Sequence, residues 1–157
     1  MPYYYERTED VSLIESVLFD NEMFSRISED GQLIEDLQIP ICDLFHWIAL
    51  YQDDTLLGIG AIHPQNNTSC EVHINILQQH RQHSKNCGLM MFDYFIKNTN
   101  YYKFNTHVPS CYPDVCKFLT NFGFTQQGID YQSVVKNNIL YDQILFGITR
   151  PQIIQQI

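Results

Sequence analysis

The stretch "CEVHINIL", residues 70–77, restricts the fold more than any other part of the chain. Val72, Ile74 and Ile76 alternate with Glu71, His73 and Asn75, and a period of two puts the apolar group on one face of a strand and the polar group on the other. Such a strand packs one face on a core and delivers a carboxylate and an imidazole side by side to the opposite face. Glu71 and His73 are therefore expected to line one cleft, with Val72, Ile74 and Ile76 turned away from it. A helical pattern follows, with Leu89, Phe92, Phe95 and Ile96 as its apolar stripe, so the junction "QQHRQHSKN" joins strand to helix.

The rest of the chain extends this alternation. A short strand is expected near Tyr3 to Arg7, and "TEDVSLIESVLF" sets Val11, Ile14 and Leu18 at helical spacing behind the capping residues Thr8 to Asp10. A second short helix spans about Asn21 to Ser28 and is closed by "EDG". Two strands around a turn at Asp53 and Asp54 account for "LFHWIALYQDDTLLGIGAIHP". Beyond the central helix, "YKFNTHVP" forms a strand that leads into a helix from about Tyr112 to Phe122. "SVV" and "ILYDQILFGI" around "KNN" then close the chain as a hairpin. The pattern is α/β (α+β): one domain, residues 1–157, with a mixed, mostly antiparallel twisted sheet of about seven strands and about four flanking helices. A chain of 157 residues buries roughly 70% of its unfolded surface in this form.

Charge and cysteine usage exclude several classes of function. Residues 1–60 hold 13 of the 18 acids and only Arg7 and Arg26 as bases, whereas residues 61–157 hold seven bases and five acids. An acidic surface repels phosphate backbones, so nucleic acid is not an expected partner. No apolar run reaches the roughly 20 residues a membrane helix requires, and "MPYYYERTED" lacks the features of a secretory signal. No membrane partner is expected, and the expected location is cytoplasmic. The five cysteines show no CxxC spacing and read as buried thiols. "GIGAIH" carries His63 where a dinucleotide fingerprint needs its third glycine, and it reads as a strand. His80 and His83 lack a Cys or carboxylate to complete a zinc set, so no metal is expected. Cys111 and Cys116 beside His107 belong to a capping loop and a packed helix rather than to a thiol nucleophile.

The order strand, two helices, three strands, helix, strand, helix, hairpin resembles the GNAT superfamily of acyl-CoA-dependent N-acyltransferases over nearly the whole chain. Two segments carry the resemblance best. "VPSCYPDVCKFLTNFGF", Val108 to Phe124, is similar to the family's strand-to-helix segment ending in Gly-Phe. "ILQQHRQHSKN", Ile76 to Asn86, falls where the family has its pyrophosphate loop. The overall pattern also resembles small acetyltransferase-like proteins of tailed bacteriophages. By this resemblance, acetyl-CoA is the co-substrate and lies along Ile74, Ile76, Leu77, Arg81, Gln82, His83, Ser84, Lys85 and Asn86. The physical expectation agrees: a helix start offers backbone N–H groups and the positive end of its dipole to a diphosphate, and Arg81 and Lys85 add charge. The acidic first 60 residues would repel the anion and are not expected to form its cradle. The sequence departs from the family where its two small loop residues are replaced by Ser84 and Asn86, whose side chains hinder a close backbone approach to phosphate.

Acyl transfer to an amine needs a base and often an acid for the departing thiolate. His73 and Glu71 are the candidate bases because the resemblance places their strand beside the thioester. His73 is preferred for its ordinary pKa near 6.5, with His107 on the neighbouring strand ranked lower. Leu119 stands where many family members have the proton-donating tyrosine, and its stripe with Val115, Phe118 and Phe122 packs it against the sheet. Tyr112 is the nearest phenol able to replace it. Two functions remain open at this level. One is an N-acetyltransferase acting on a primary amine of a cationic acceptor, small molecule or protein. The other is a catalytically degenerate GNAT-fold binding or assembly module, oligomeric or not.

Overall fold

The computed structural model describes residues 2–157. Strand β1 (Tyr3–Thr8) precedes helices α1 (Val11–Leu18) and α2 (Asn21–Ile27). Strands β2 (His46–Gln52), β3 (Thr55–Pro64) and β4 (Ser69–Ile76) follow as a meander, and helix α3 (Ser84–Asn98) leads to β5 (Lys103–Pro109). Helix α4 (Pro113–Asn121), strands β6 (Thr125–Lys136) and β7 (Ile139–Thr149), and helix α5 (Arg150–Gln156) complete the chain. The seven strands form one sheet in the order β1-β2-β3-β4-β5-β7-β6. Every neighbouring pair is antiparallel except β4 and β5. That exception follows from α3, because a strand, helix, strand crossover returns the chain in its original direction.

Local chemistry explains most of the boundaries. The Asp10 and Asp20 carboxylates accept from the Leu13 and Met23 N–H groups and so cap α1 and α2. Asp53 (φ 50°) turns the β2–β3 hairpin, and Asn137 and Asn138 (φ 53° and 63°) turn the β6–β7 hairpin with the left-handed pair that a two-residue loop requires. The sheet carries a core on each face. Leu57, Ile62, Phe104 and Ile148 pack under α3, while Ile59, Ala61, Ala49 and Trp47 pack against Ile14 and Val17 of α1. Double coverage is why "LLGIGAI" is continuously apolar rather than alternating.

The structure corrects the sequence reading in several places. Val11 is exposed and Val17 replaces it on the buried face of α1. On α3 the fully buried residues are Cys87, Met91 and Phe95, whereas Leu89 and Ile96 are only half-buried, because the helix sits rotated about its axis toward β1 and β4. β6 begins at Thr125, eight residues before "SVV"; its first part "TQQGIDYQ" lies on an edge strand and is exposed on both faces, so no alternation of buried and exposed positions marks it. Helix α5 was not expected. Thr149 and Gln152 form its capping box, Pro151 opens its first turn, and Arg150 donates to the Ile96, Thr99 and Tyr101 carbonyls. Among the described residues the α-helices therefore number five rather than about four. Only Cys70 and Cys87 are buried, and burial pushes both thiols up to about 12; Cys111 and Cys116 are half-buried and Cys42 is exposed. Among the described residues no helix is long and apolar enough to cross a membrane.

The parallel contact between β4 and β5 is short. Ser69, Cys70 and Glu71 pair with Lys103, Phe104 and Asn105, and beyond those three pairs the strands part. On its other side β4 stays fully paired with β3 from Gly58 to Pro64. Gly58 permits this pairing, since a Cβ there would overlap the Asn75 carbonyl oxygen and lie 2.8 Å from Ile76 Cα. Backbone atoms cannot swing aside as a side chain can. Gly58→Ala should therefore cost about 1–3 kcal/mol, lowering the urea midpoint at an unchanged slope. A midpoint equal to that of the unmutated protein would contradict the packing described.

Candidate functional site

Where β4 and β5 part, the sheet itself opens into a cavity of about 700 Å³. Residues 72–76 of β4 form one wall and residues 106–109 of β5 the other, with Val115, Phe118 and Leu119 of α4 below and Met23 and Arg26 of α2 above. Val72, Ile74 and Ile76 therefore line this space together with His73 and Asn75, contrary to the expectation that the apolar set turns away. A gap through a sheet is bordered by both of its faces. Glu71 lies just beyond the lining, at the last point of strand pairing.

The junction between β4 and α3 folds as a 3-10 helix, Gln78–His83, rather than an open loop. Three residues per turn place Arg81 and Ser84 on one side, and both line the cavity with Ile74 and Ile76. The other residues of the expected coenzyme set point elsewhere. Leu77 packs with the α1 core, Gln82 and Lys85 are exposed, and Asn86 faces a shallow depression bordered by Tyr3, Tyr5 and Asp93. His83 Nδ1 lies 2.8 Å from the Tyr3 hydroxyl.

Charged groups at the cavity mouth neutralise one another. Arg81 holds the Glu22 carboxylate with both terminal nitrogens, one of them at 2.9 Å. Arg26 lies 4.0 Å from Glu22 and donates to Asp114 at 3.2 Å, and its guanidinium covers the Tyr112 ring at 4.6 Å. The Lys136 ammonium donates to the Ser25 and Arg26 carbonyls. The acidic segment thus helps build the mouth. Its carboxylates come with Arg26 and meet Arg81, so the expected repulsion is replaced by pairing. Tyr112, the N-cap residue of α4, is a half-buried cavity residue rather than a surface phenol.

On the opposite side of β4, four side chains converge. Register sets His63 of β3 opposite Glu71, and Glu71 opposite Asn105 of β5, so His73 and His107, each two residues further along, share the face of Glu71. The His107 Nδ1 is 2.8 Å from Glu71 Oε1. The His73 and His63 Nε2 atoms lie 3.5 and 3.7 Å from the same carboxylate and 3.4 Å from each other. His63 is stacked between Phe45 and His73. The hydrogen bond from His107 holds the Glu71 carboxyl below its ordinary range, and the same bond raises His107 above 6.5. Burial of its ring pushes His73 down to about 4 despite Glu71 nearby. The arrangement can hold a neutral imidazole at His73, orient an imidazole at His107 for proton transfer, and offer three donor atoms, from His63, Glu71 and His73, to a metal ion. Sequence reasoning did not select His63; counting the β3–β4 hairpin back from Glu71 across "PQNNTSC" would have placed it there.

No family model matches the chain, and no curated protein is similar to it in sequence. Solved structures are similar in fold. A spermidine N-acetyltransferase from Vibrio cholerae in complex with CoA and spermine superposes with a TM-score of 0.80 at 16% identity, covering 97% of this chain and 98% of that one. A chimera of that enzyme and hSSAT also gives 0.80 at 16% identity, covering 98% and 99%. The chain therefore has the GNAT fold, as its element order implied.

The histidine shifts can be read directly. In chelator-treated protein, the His107 ring resonances should titrate above 6.5 and those of His73 near 4. Because the folded state binds the His107 proton more tightly than the unfolded chain, this pairing stabilises fully below pH 6.5 and the contribution fades as pH rises through the folded value. Glu71→Gln should return His107 to or below 6.5; a His107 that titrates there in the unmutated protein contradicts the pairing.

Proposed function

We propose that this protein is an acetyl-CoA-dependent N-acetyltransferase acting on a primary amine of a small cationic acceptor. The observation that carries the reading is the gap between β4 and β5, a slot through the sheet that joins the α3–α4 side to the histidine face. Such a slot suits a long thin thioester arm entering from one side while an amine approaches from the other. The similar structure holding CoA and spermine supports both halves of the reading, the acyl donor and a polyamine-class acceptor.

In the reaction the amine nitrogen attacks the thioester carbonyl, the C–S bond breaks, and the amine proton passes to a base. His107 is better suited to this than His73. Glu71 holds its Nδ1 and raises its pKa above the ordinary 6.5, which makes it a stronger base than His73 and leaves Nε2 as the proton acceptor. His73, pushed down to about 4, is neutral but a weak base, and it acts as a wall of the site. Tyr112 lines the cavity and supplies the proton to the departing thiolate. Tyr112→Phe should lower turnover at least tenfold with the fold intact, as expected for loss of one positioned acid. Unchanged turnover would remove Tyr112 from the mechanism.

A second reading, a GNAT-fold binding module without catalysis, is favoured by one observation: Arg81 is already held by Glu22. Melting curves separate the two. Acetyl-CoA at a hundredfold excess over Kd should add about 2.7 kcal/mol, a rise of roughly 5–10 °C for a chain of this size. Arg81→Glu should remove most of that rise, and Glu22→Gln, which frees Arg81, should enlarge it. If millimolar acetyl-CoA leaves the curve in place, the binding module is the better account.

A further inference from the structure

The cluster around Glu71 contains more than a proton acceptor needs. We propose that the His63 Nε2, the His73 Nε2 and the Glu71 carboxylate hold a divalent cation of the zinc class, with one coordination position left open. This inference rests on donor geometry alone and is independent of acyl transfer.

The three separations are 3.4, 3.5 and 3.7 Å. His73 Nε2 faces Glu71 Oε1 and His63 Nε2 faces Glu71 Oε2, both beyond the 2.7–3.2 Å of an N–H···O hydrogen bond, and an ion taking one atom from each of the three side chains accounts for their convergence. Two of the separations, 3.4 and 3.5 Å, fit the edge of a tetrahedron, and the third, 3.7 Å, lies just above it. Bonds of 2.0–2.2 Å to nitrogen and oxygen give ligand–ligand edges of about 3.3–3.6 Å. An octahedral ion with similar bonds would draw the same atoms to about 2.8–3.1 Å, shorter than any of the three.

The His107 contact differs in kind. At 2.8 Å from Glu71 Oε1 it is a genuine hydrogen bond, and it fixes the carboxylate as outer partners of metal ligands commonly do. The ligands also sit on rigid elements. His63 and Glu71 are direct cross-strand neighbours, His73 is two residues along β4, and the His63 ring is held between Phe45 and His73. Two neutral imidazoles and one carboxylate suit zinc, cobalt or nickel, whereas magnesium and calcium prefer all-oxygen sets. The side chains of Glu71, His63 and His73 are 15%, 25% and 38% exposed, so an ion can enter from solvent and the open position faces outward. The ligands are split across a hairpin and so leave no local spacing to detect, and the expectation of no metal rested on the cysteine spacing and on His80 and His83.

The test uses the full chain, stripped with a chelator and dialysed against buffered zinc. One zinc per chain should be retained, magnesium should not displace it, and His63→Ala and Glu71→Gln should each weaken binding at least tenfold. Retention unaffected by both substitutions, or no retention, overturns the proposal. Cobalt(II) added to the unmutated protein gives a second readout that needs no variant. An intense visible band of four-coordinate cobalt without thiolate charge transfer is expected; a weak six-coordinate spectrum, or a thiolate band marking a cysteine site, overturns it. An acetyl-CoA melting shift that fails while zinc binding succeeds would reject the acyltransferase reading and leave the metal site standing.

Discussion

The three-pair contact between β4 and β5 is the constraint on which the rest of the site depends. One βαβ crossover makes it parallel, and its early end leaves backbone groups of both strands facing a gap in an otherwise continuous sheet. Unpaired strand backbone surrounded by apolar side chains is costly unless something bonds to it. Val72, Ile76, Val108 and Leu119 supply the apolar surroundings, and an amide-bearing arm threading the gap would supply the partner. The gap also fixes what meets across it, the start of α3 and the mouth ion pairs on one side and the Glu71 cluster on the other.

At the mouth the balance of charge decides how readily an anion is taken up. Arg81 with Glu22 is a half-buried, doubly bonded ion pair and Arg26 with Asp114 a more exposed one, so a diphosphate has to exchange for the carboxylates that hold these guanidinium groups. The same carboxylates, once released, would add to the negative field that a cationic acceptor meets. Ser84 limits the backbone approach to such an anion, although its hydroxyl already donates to the Arg81 carbonyl and so stays near the helix.

Much of this was legible in the sequence, and what was missed has physical reasons. Alternation in "CEVHINIL" identified β4 and the shared face of Glu71 and His73, because a half-buried strand must alternate. The element order gave the fold class. β6 was truncated because an edge strand exposed on both faces has no period to detect, and α5 was missed because its seven residues show a capping box but only one buried side chain, Ile153. The pairing of Arg81 with Glu22 spans 59 residues, and His63 reaches Glu71 only through hairpin register. Long-range pairing of this kind leaves no local pattern.

The central claim is that the gap between β4 and β5 is where acetyl-CoA binds. Backbone NMR spectra recorded during an acetyl-CoA titration test it most directly. The account predicts shift changes concentrated at residues 72–76, 81–84 and 106–109, with β1 and β2 unmoved. Changes confined to the Tyr3, Tyr5 and Asn86 depression, or none at saturating ligand, would contradict it.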